Sequence, residues 1–91
     1  MDVPVPTHVR NPALGWDITA TAKAEKGEKI MRAQVLVNGF TEYDEQFNPA
    51  ISNWQTQLRQ KGQYPGDNKV EAIITDDKGE DTSSVDEWNE P

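Results

Sequence analysis

Two turn signals constrain this chain more than anything else in it. The apolar run Val35-Leu36-Val37 stops at Asn38-Gly39, and Ile73-Ile74-Thr75 stops at Asp76-Asp77-Lys78-Gly79. Asn-Gly suits a type I′ turn because both central residues need positive φ, which Gly allows and Asn tolerates. Asp-Lys-Gly makes a slightly longer turn with Gly at the left-handed position. Two marked β-turns in 91 residues point to an all-β domain.

The chain has room for one domain, here residues 1–91, and one lean core. Leu, Ile, Val and Phe together make 17 of its 91 residues. That share borders on the composition of disordered chains. Three Trp offset it as large core fillers, and the apolar residues fall in patterned runs. The net charge of -7 is concentrated at one end. Residues 76–91 carry seven acids against Lys78 alone, a net of -6, while the remaining 75 residues are almost neutral. No cluster of Lys and Arg is available for phosphate contacts, so nucleic acid is not an expected partner. There is no cysteine, which excludes a disulfide framework, a Cys zinc site and a thiol nucleophile. The first residues carry Asp2 and prolines instead of a basic-then-apolar leader. No run approaches the length of a membrane span.

Alternation organises the rest. Residues 1–10, with Pro4 and Pro6, read as a linker or a proline-bearing edge strand. Residues 16–24 alternate, with Trp16, Ile18, Ala20, Ala22 and Ala24 on one face. Residues 30–37 place Met31, Ala33, Val35 and Val37 on one face and Ile30 and Leu36 on the other, as in a central strand. Residues 40–47 return as a polar edge strand that Asn48-Pro49 breaks. Residues 50–61 fit a helix through Ile51, Trp54 and Leu58, or a strand through Trp54, Thr56 and Leu58; a strand suits a short sandwich better. Residues 62–68 are dense in turn formers. Val70, Ala72 and Ile74 alternate in the next strand, residues 81–88 pair back across the Asp76 turn, and residues 89–91 form a flexible tail. The expected inward set is Trp16, Ile18, Ala20, Val35, Val37, Trp54, Leu58, Val70, Ala72 and Ile74. About seven strands at short spacing make an antiparallel sandwich the economical solution.

With those residues in place, the chain resembles the bacterial immunoglobulin-like β-sandwich modules repeated in secreted enzymes, adhesins and surface proteins. The resemblance rests on Ala20, Ala22, Ala24, Glu25, Gly27, Ile30, Val35, Val37, Asn38, Gly39, Trp54, Gly62, Tyr64, Val70, Ala72, Asp76 and Gly79, in that order over residues 3–88. It departs from the pattern at Pro65-Gly66-Asp67-Asn68, an insertion after Gly-x-Tyr, at Glu25 in place of Asp, and at the acidic end. It implies an immunoglobulin-like fold. It implies no particular activity, because such sandwiches host many unrelated roles.

Catalysis finds little to stand on. His8 is the one histidine and has no nucleophile signature beside it. Adjacent carboxylates such as Asp44/Glu45 and Asp86/Glu87 point to opposite faces of a strand, whereas acid–base pairs converge on one cleft. The chain is therefore expected not to be an enzyme. Calcium is the metal to consider, through Asp76, Asp77 and Asp81 in one hairpin; a turn held by Asp76 accounts for the same residues. No other cofactor is expected. Trp16, Trp54 and Trp88 would make a sugar-stacking platform if exposed, but Trp16 and Trp54 belong in the core, leaving Trp88 as the partly exposed aromatic. Tyr64 resembles a tyrosine corner. A basic partner would meet Glu80, Asp86, Glu87 and Trp88.

The expected role is a non-catalytic binding or spacer module of a larger extracellular or surface protein, monomeric, without membrane insertion, whose partners are proteins or neighbouring domains of the same chain. The alternative is a free-standing small acidic protein, phage-encoded for instance, that binds a basic protein surface or mimics nucleic-acid charge. An excised module belongs outside the cell or on its surface; a native start at Met1 puts the protein in the cytoplasm or a virion.

Overall fold

The computed structural model describes residues 3–12, 15–60 and 65–91. Seven strands lie among them: β1 (Val5–Arg10), β2 (Trp16–Lys23), β3 (Ile30–Val37), β4 (Phe40–Ile51), β5 (Asn53–Gln60), β6 (Gly66–Asp76) and β7 (Asp81–Glu90). They form two antiparallel sheets, ordered β1-β2-β5 and β4-β3-β6-β7. The fold is an immunoglobulin-like sandwich with no helix among the described residues, so none there is long and apolar enough to cross a membrane.

Both turns close as their sequences require. Asn38 and Gly39 have φ of 51° and 86°, and Val37 faces Phe40 across the tip of the β3–β4 hairpin. Gly79, at φ 82°, sits in the β6–β7 turn, where its N–H donates to the Asp76 carbonyl at 3.1 Å. Either glycine replaced by a branched residue would be strained at that φ.

The core lies between the sheets: Trp16, Ile18 and Ala20 from β2, Trp54 from β5, Ile30, Ala33, Val35 and Val37 from β3, and Val70, Ala72 and Ile74 from β6. Leu58 packs against it, partly buried. Ile30 and Met31 depart from the alternation. The register slips between Ile30 and Arg32 against both neighbouring strands. One extra residue reverses the side-chain parity there, so Ile30 is fully buried and Met31 is 40% exposed.

Three boundaries differ from expectation. β4 does not stop at Asn48-Pro49: it continues to Ile51 through a cis peptide bond. Ile30 pairs with Ile51 and Arg32 with Gln46, so residues 47–50 bulge out of the ladder. An edge strand can carry a proline, which lacks a donor, in such a bulge. β6 starts at Gly66, and the inserted Gly66, Asp67 and Asn68 pair with Glu90, Asn89 and Trp88. Asn89 and Glu90, expected in a flexible tail, are therefore ladder residues, and Glu90 is buried. The region expected to be a linker or edge strand holds an edge strand, β1. Tyr64 lies outside the described residues.

Candidate functional site

The acidic segment divides by parity. In β7, Thr82, Ser84, Asp86, Trp88 and Glu90 face the other sheet, and Asp81, Ser83, Val85, Glu87 and Asn89 face solvent. The two rows have different surroundings.

The inward row meets β1. His8 Nδ1 and Asp86 Oδ2 hydrogen-bond at 2.6 Å, each side chain about a quarter exposed. The His8 ring stacks on Trp88, with centroids 3.7 Å apart and planes 12° from parallel. Trp88 in turn sets its edge against Trp16, at 5.3 Å and 72°. Arg10 forms an ion pair with Glu90. The seam thus sets His8 and Arg10 of β1 against Asp86, Trp88 and Glu90 of β7, joining the two sheets at one edge of the sandwich. Aromatic pairs in such geometry contribute about 0.5–1.5 kcal/mol beyond their buried area.

The turn above it is built around Asp76, which is buried. Its Oδ1 accepts the N–H groups of Lys78 and Glu80, both at 2.9 Å. Its own N–H donates to the Glu80 carbonyl at 2.9 Å, and the Asp77 N–H donates to the Lys29 carbonyl at 3.0 Å. The bond from the Glu80 N–H, helped by that from Lys78, holds the Asp76 carboxyl below its ordinary value despite burial. Asp81 accepts the Thr75 hydroxyl at 2.7 Å, and Asp77 is exposed. The three aspartates considered for calcium therefore point to separate tasks, and no group of three acids or histidines among the described residues is gathered as a metal site.

The partner-facing set splits likewise. Glu80 and Glu87 are exposed. Asp86 and Trp88 are turned inward to His8, so the four do not form one surface. His8, which looked incidental in the sequence, is the residue that links them.

Away from the hairpin, the Trp54 indole donates to the Tyr43 hydroxyl at 3.2 Å, and Tyr43 donates to Glu45 at 2.5 Å. Burial, and then the Glu45 bond, raise the Tyr43 phenol above its ordinary value. Arg32 grips Asp44 through two bonds at 2.8 and 2.6 Å. Arg59 bonds Asp17 at 3.0 Å. Both arginines hold their carboxylates below the ordinary aspartate value. An open surface depression of about 440 Å³ lies over Val3, Val5, Thr21, Ala22, Asn53 and Trp54, and no acid lines it.

The strand order, three strands against four with β3 and β6 central in the larger sheet, can be compared with solved structures. One match is to the work described as "Structures of Clostridium thermocellum CbhA fibronectin(III)-like modules": 20% identity, 97% of this chain and 96% of that one covered, TM-score 0.61. The chain has a fibronectin(III)-like fold. No protein-family description matches it, and no curated protein does. At this identity the fibronectin(III)-like likeness extends to the backbone arrangement, and the His8–Asp86–Trp88 seam is read from this chain alone.

Proposed function

We propose that this chain is a non-catalytic spacer or binding module of a larger extracellular or cell-surface protein. The observation that carries the reading is where the chain enters and leaves the fold. His8 meets Asp86 and Arg10 meets Glu90, so β1 and β7 run parallel. β1 therefore begins at one end of a body measuring 43 × 19 × 19 Å and β7 finishes at the other. Such a body strings end to end with neighbouring domains without reversing the chain. The fibronectin(III)-like fold, described in the matched structures as a module, supports the same reading. The proposal assigns no calcium to the hairpin, because Asp76 and Asp81 already engage Lys78, Glu80 and Thr75. It includes neither nucleic acid nor membrane insertion, and it treats the module as a monomer.

A second reading, a free-standing acidic protein that docks on a basic protein, draws on Asp77, Glu80, Asp81 and Glu87, all exposed along one hairpin. Antibody against the folded domain separates the two. Detection on a polypeptide much larger than 10.2 kDa, in the medium or protease-accessible on intact cells, supports the module. A free cytoplasmic chain of that mass overturns it.

A further inference from the structure

We propose that the free edge of β5 is a docking site for an extended, cationic segment of a partner protein, which adds to the sheet as a further strand. The inference does not rest on the module reading, since a free-standing chain would present the same edge.

The argument starts from which backbone groups face out. The Asn11 N–H bonds the Gly15 carbonyl at 3.0 Å, on the register line of β1 with β2. The odd-numbered residues of β1 and β2 are therefore the bonded pairs between them. The Ala24 N–H bonds the Ser52 carbonyl at 2.8 Å, on the register line of β2 with β5. Even-numbered residues bond there. Among the described residues β5 has no neighbour other than β2, so the N–H and C=O groups of Asn53, Gln55, Gln57 and Arg59 point out of the sheet. Among the described residues none of them has a backbone partner on that side.

The other three edges are guarded in ways known to prevent pairing. β1 presents its even-numbered residues, where Pro6 has no donor and His8 and Arg10 are tied to β7. β4 bulges at residues 47–50 around Pro49. β7 carries Asp81, Asp86, Glu87 and Glu90. β5 reads Asn-Trp-Gln-Thr-Gln-Leu-Arg-Gln, with neither proline nor acid, and its single charge is held by Asp17.

Charge selects the occupant. Across the sandwich mouth from β5 lies β4: Tyr43 bonds Trp54, and Glu42 and Gln60 line one cavity of about 140 Å³ with Phe40. Glu42 and Glu45 are exposed there, and no ion pair engages either among the described residues. An incoming strand turns alternate side chains toward this mouth. Lys or Arg at those positions lays its stem over Leu58 and Tyr43 and brings its charge to Glu42 and Glu45. A second copy of this chain would bring β4 acids against β4 acids instead, with a charge of -7 on each copy.

The probe is the peptide acetyl-Lys-Thr-Lys-Thr-Val-Thr-Lys-Thr-Lys-amide, with Glu replacing Lys in the control. The readout is amide hydrogen exchange of the intact chain by NMR. The cationic peptide should slow exchange at Gln55, Gln57 and Arg59 by about tenfold while leaving Trp54, Thr56 and Leu58 unchanged, since those are already bonded to β2. The Glu peptide should leave all six alone. Gln57→Pro, which deletes an outward donor, and the double variant Glu42→Gln/Glu45→Gln, which keeps the β5 edge and removes the charges facing the peptide, should each abolish the effect. Melting curves of both variants confirm folding, and the double glutamine variant carries the test if the proline variant unfolds. Equal binding of the two peptides, protection on β4 or β7 instead, or protection untouched by the double glutamine variant overturns the proposal. Protection of the odd residues without peptide, rising with protein concentration, overturns it in favour of self-pairing.

Discussion

The two faces of β7 share one acidic sequence and live in different chemistry. Asp86, Trp88 and Glu90 face the opposite sheet and are committed to His8, Trp16 and Arg10. Asp81, Glu87 and Asn89 face solvent. A run of acids is therefore not a unit. Strand parity sends every second residue inward, and the inward ones must find partners because burying an unpaired charge is costly. The outward ones are free to supply solubility and long-range field.

Substitutions that probe the inward side should show the largest effects. Trp54→Ala sets the scale, since Trp54 is only 5% exposed; its loss should destabilise by about 3–5 kcal/mol in urea unfolding. Trp88→Ala, partly exposed but packed on two rings, should cost about 2–3 kcal/mol. A value near zero for Trp88 would show that the inward row is not packed.

Acid titration comes next. The folded Asp76 carboxyl is held below its ordinary value, chiefly by the Glu80 N–H, and Asp17 and Asp44 share that sign. A depressed carboxyl stabilises the fold fully above the ordinary aspartate range, and the contribution is lost as pH falls through the folded value. The urea midpoint should therefore be flat above about pH 5 and fall steadily toward about pH 2. Asp76→Asn should make that fall shallower and lower the midpoint at neutral pH. Further down the scale, His8→Ala should cost about 1 kcal/mol through the lost stack and hydrogen bond. Smallest of all, Glu80→Gln and Glu87→Gln should stay within about 0.5 kcal/mol of the parent, as for exposed positions without a structural partner.

The parts of this fold visible in the sequence are those set by local rules. Asn38-Gly39 and Asp76–Gly79 encode their turns in backbone sterics. The alternation of Trp16, Ile18 and Ala20, or of Val70, Ala72 and Ile74, encodes which side is dry. Ile30 faces inward against the alternation of its strand, because a bulge at Met31 depends on the register of two neighbouring strands. The passage of β4 through Pro49 likewise depends on its place at an edge. Least legible was the seam: His8 and Asp86 are 78 residues apart, and only the parallel approach of β1 to β7 brings them together. The two-residue spacing of His8 and Arg10 does match that of Asp86, Trp88 and Glu90. That repeat would have been the one sequence clue to the pairing. The open edge of β5 was hidden for a similar reason, because it follows from the sheet order and from the ladder of β2 with β5.

The most direct test compares two neighbours that carry the same charge on opposite faces. Asp86→Ala and Glu87→Ala remove one acid each, from adjacent positions of one strand, with the same replacement. Asp86→Ala should lower the melting temperature by roughly 4–8 °C, the shift that about 1 kcal/mol produces in a domain of this size. Glu87→Ala should leave it within about 3 °C. Equal shifts for the two, or a larger one for Glu87, would contradict the division of the acidic strand into an inward, committed row and an outward, free one.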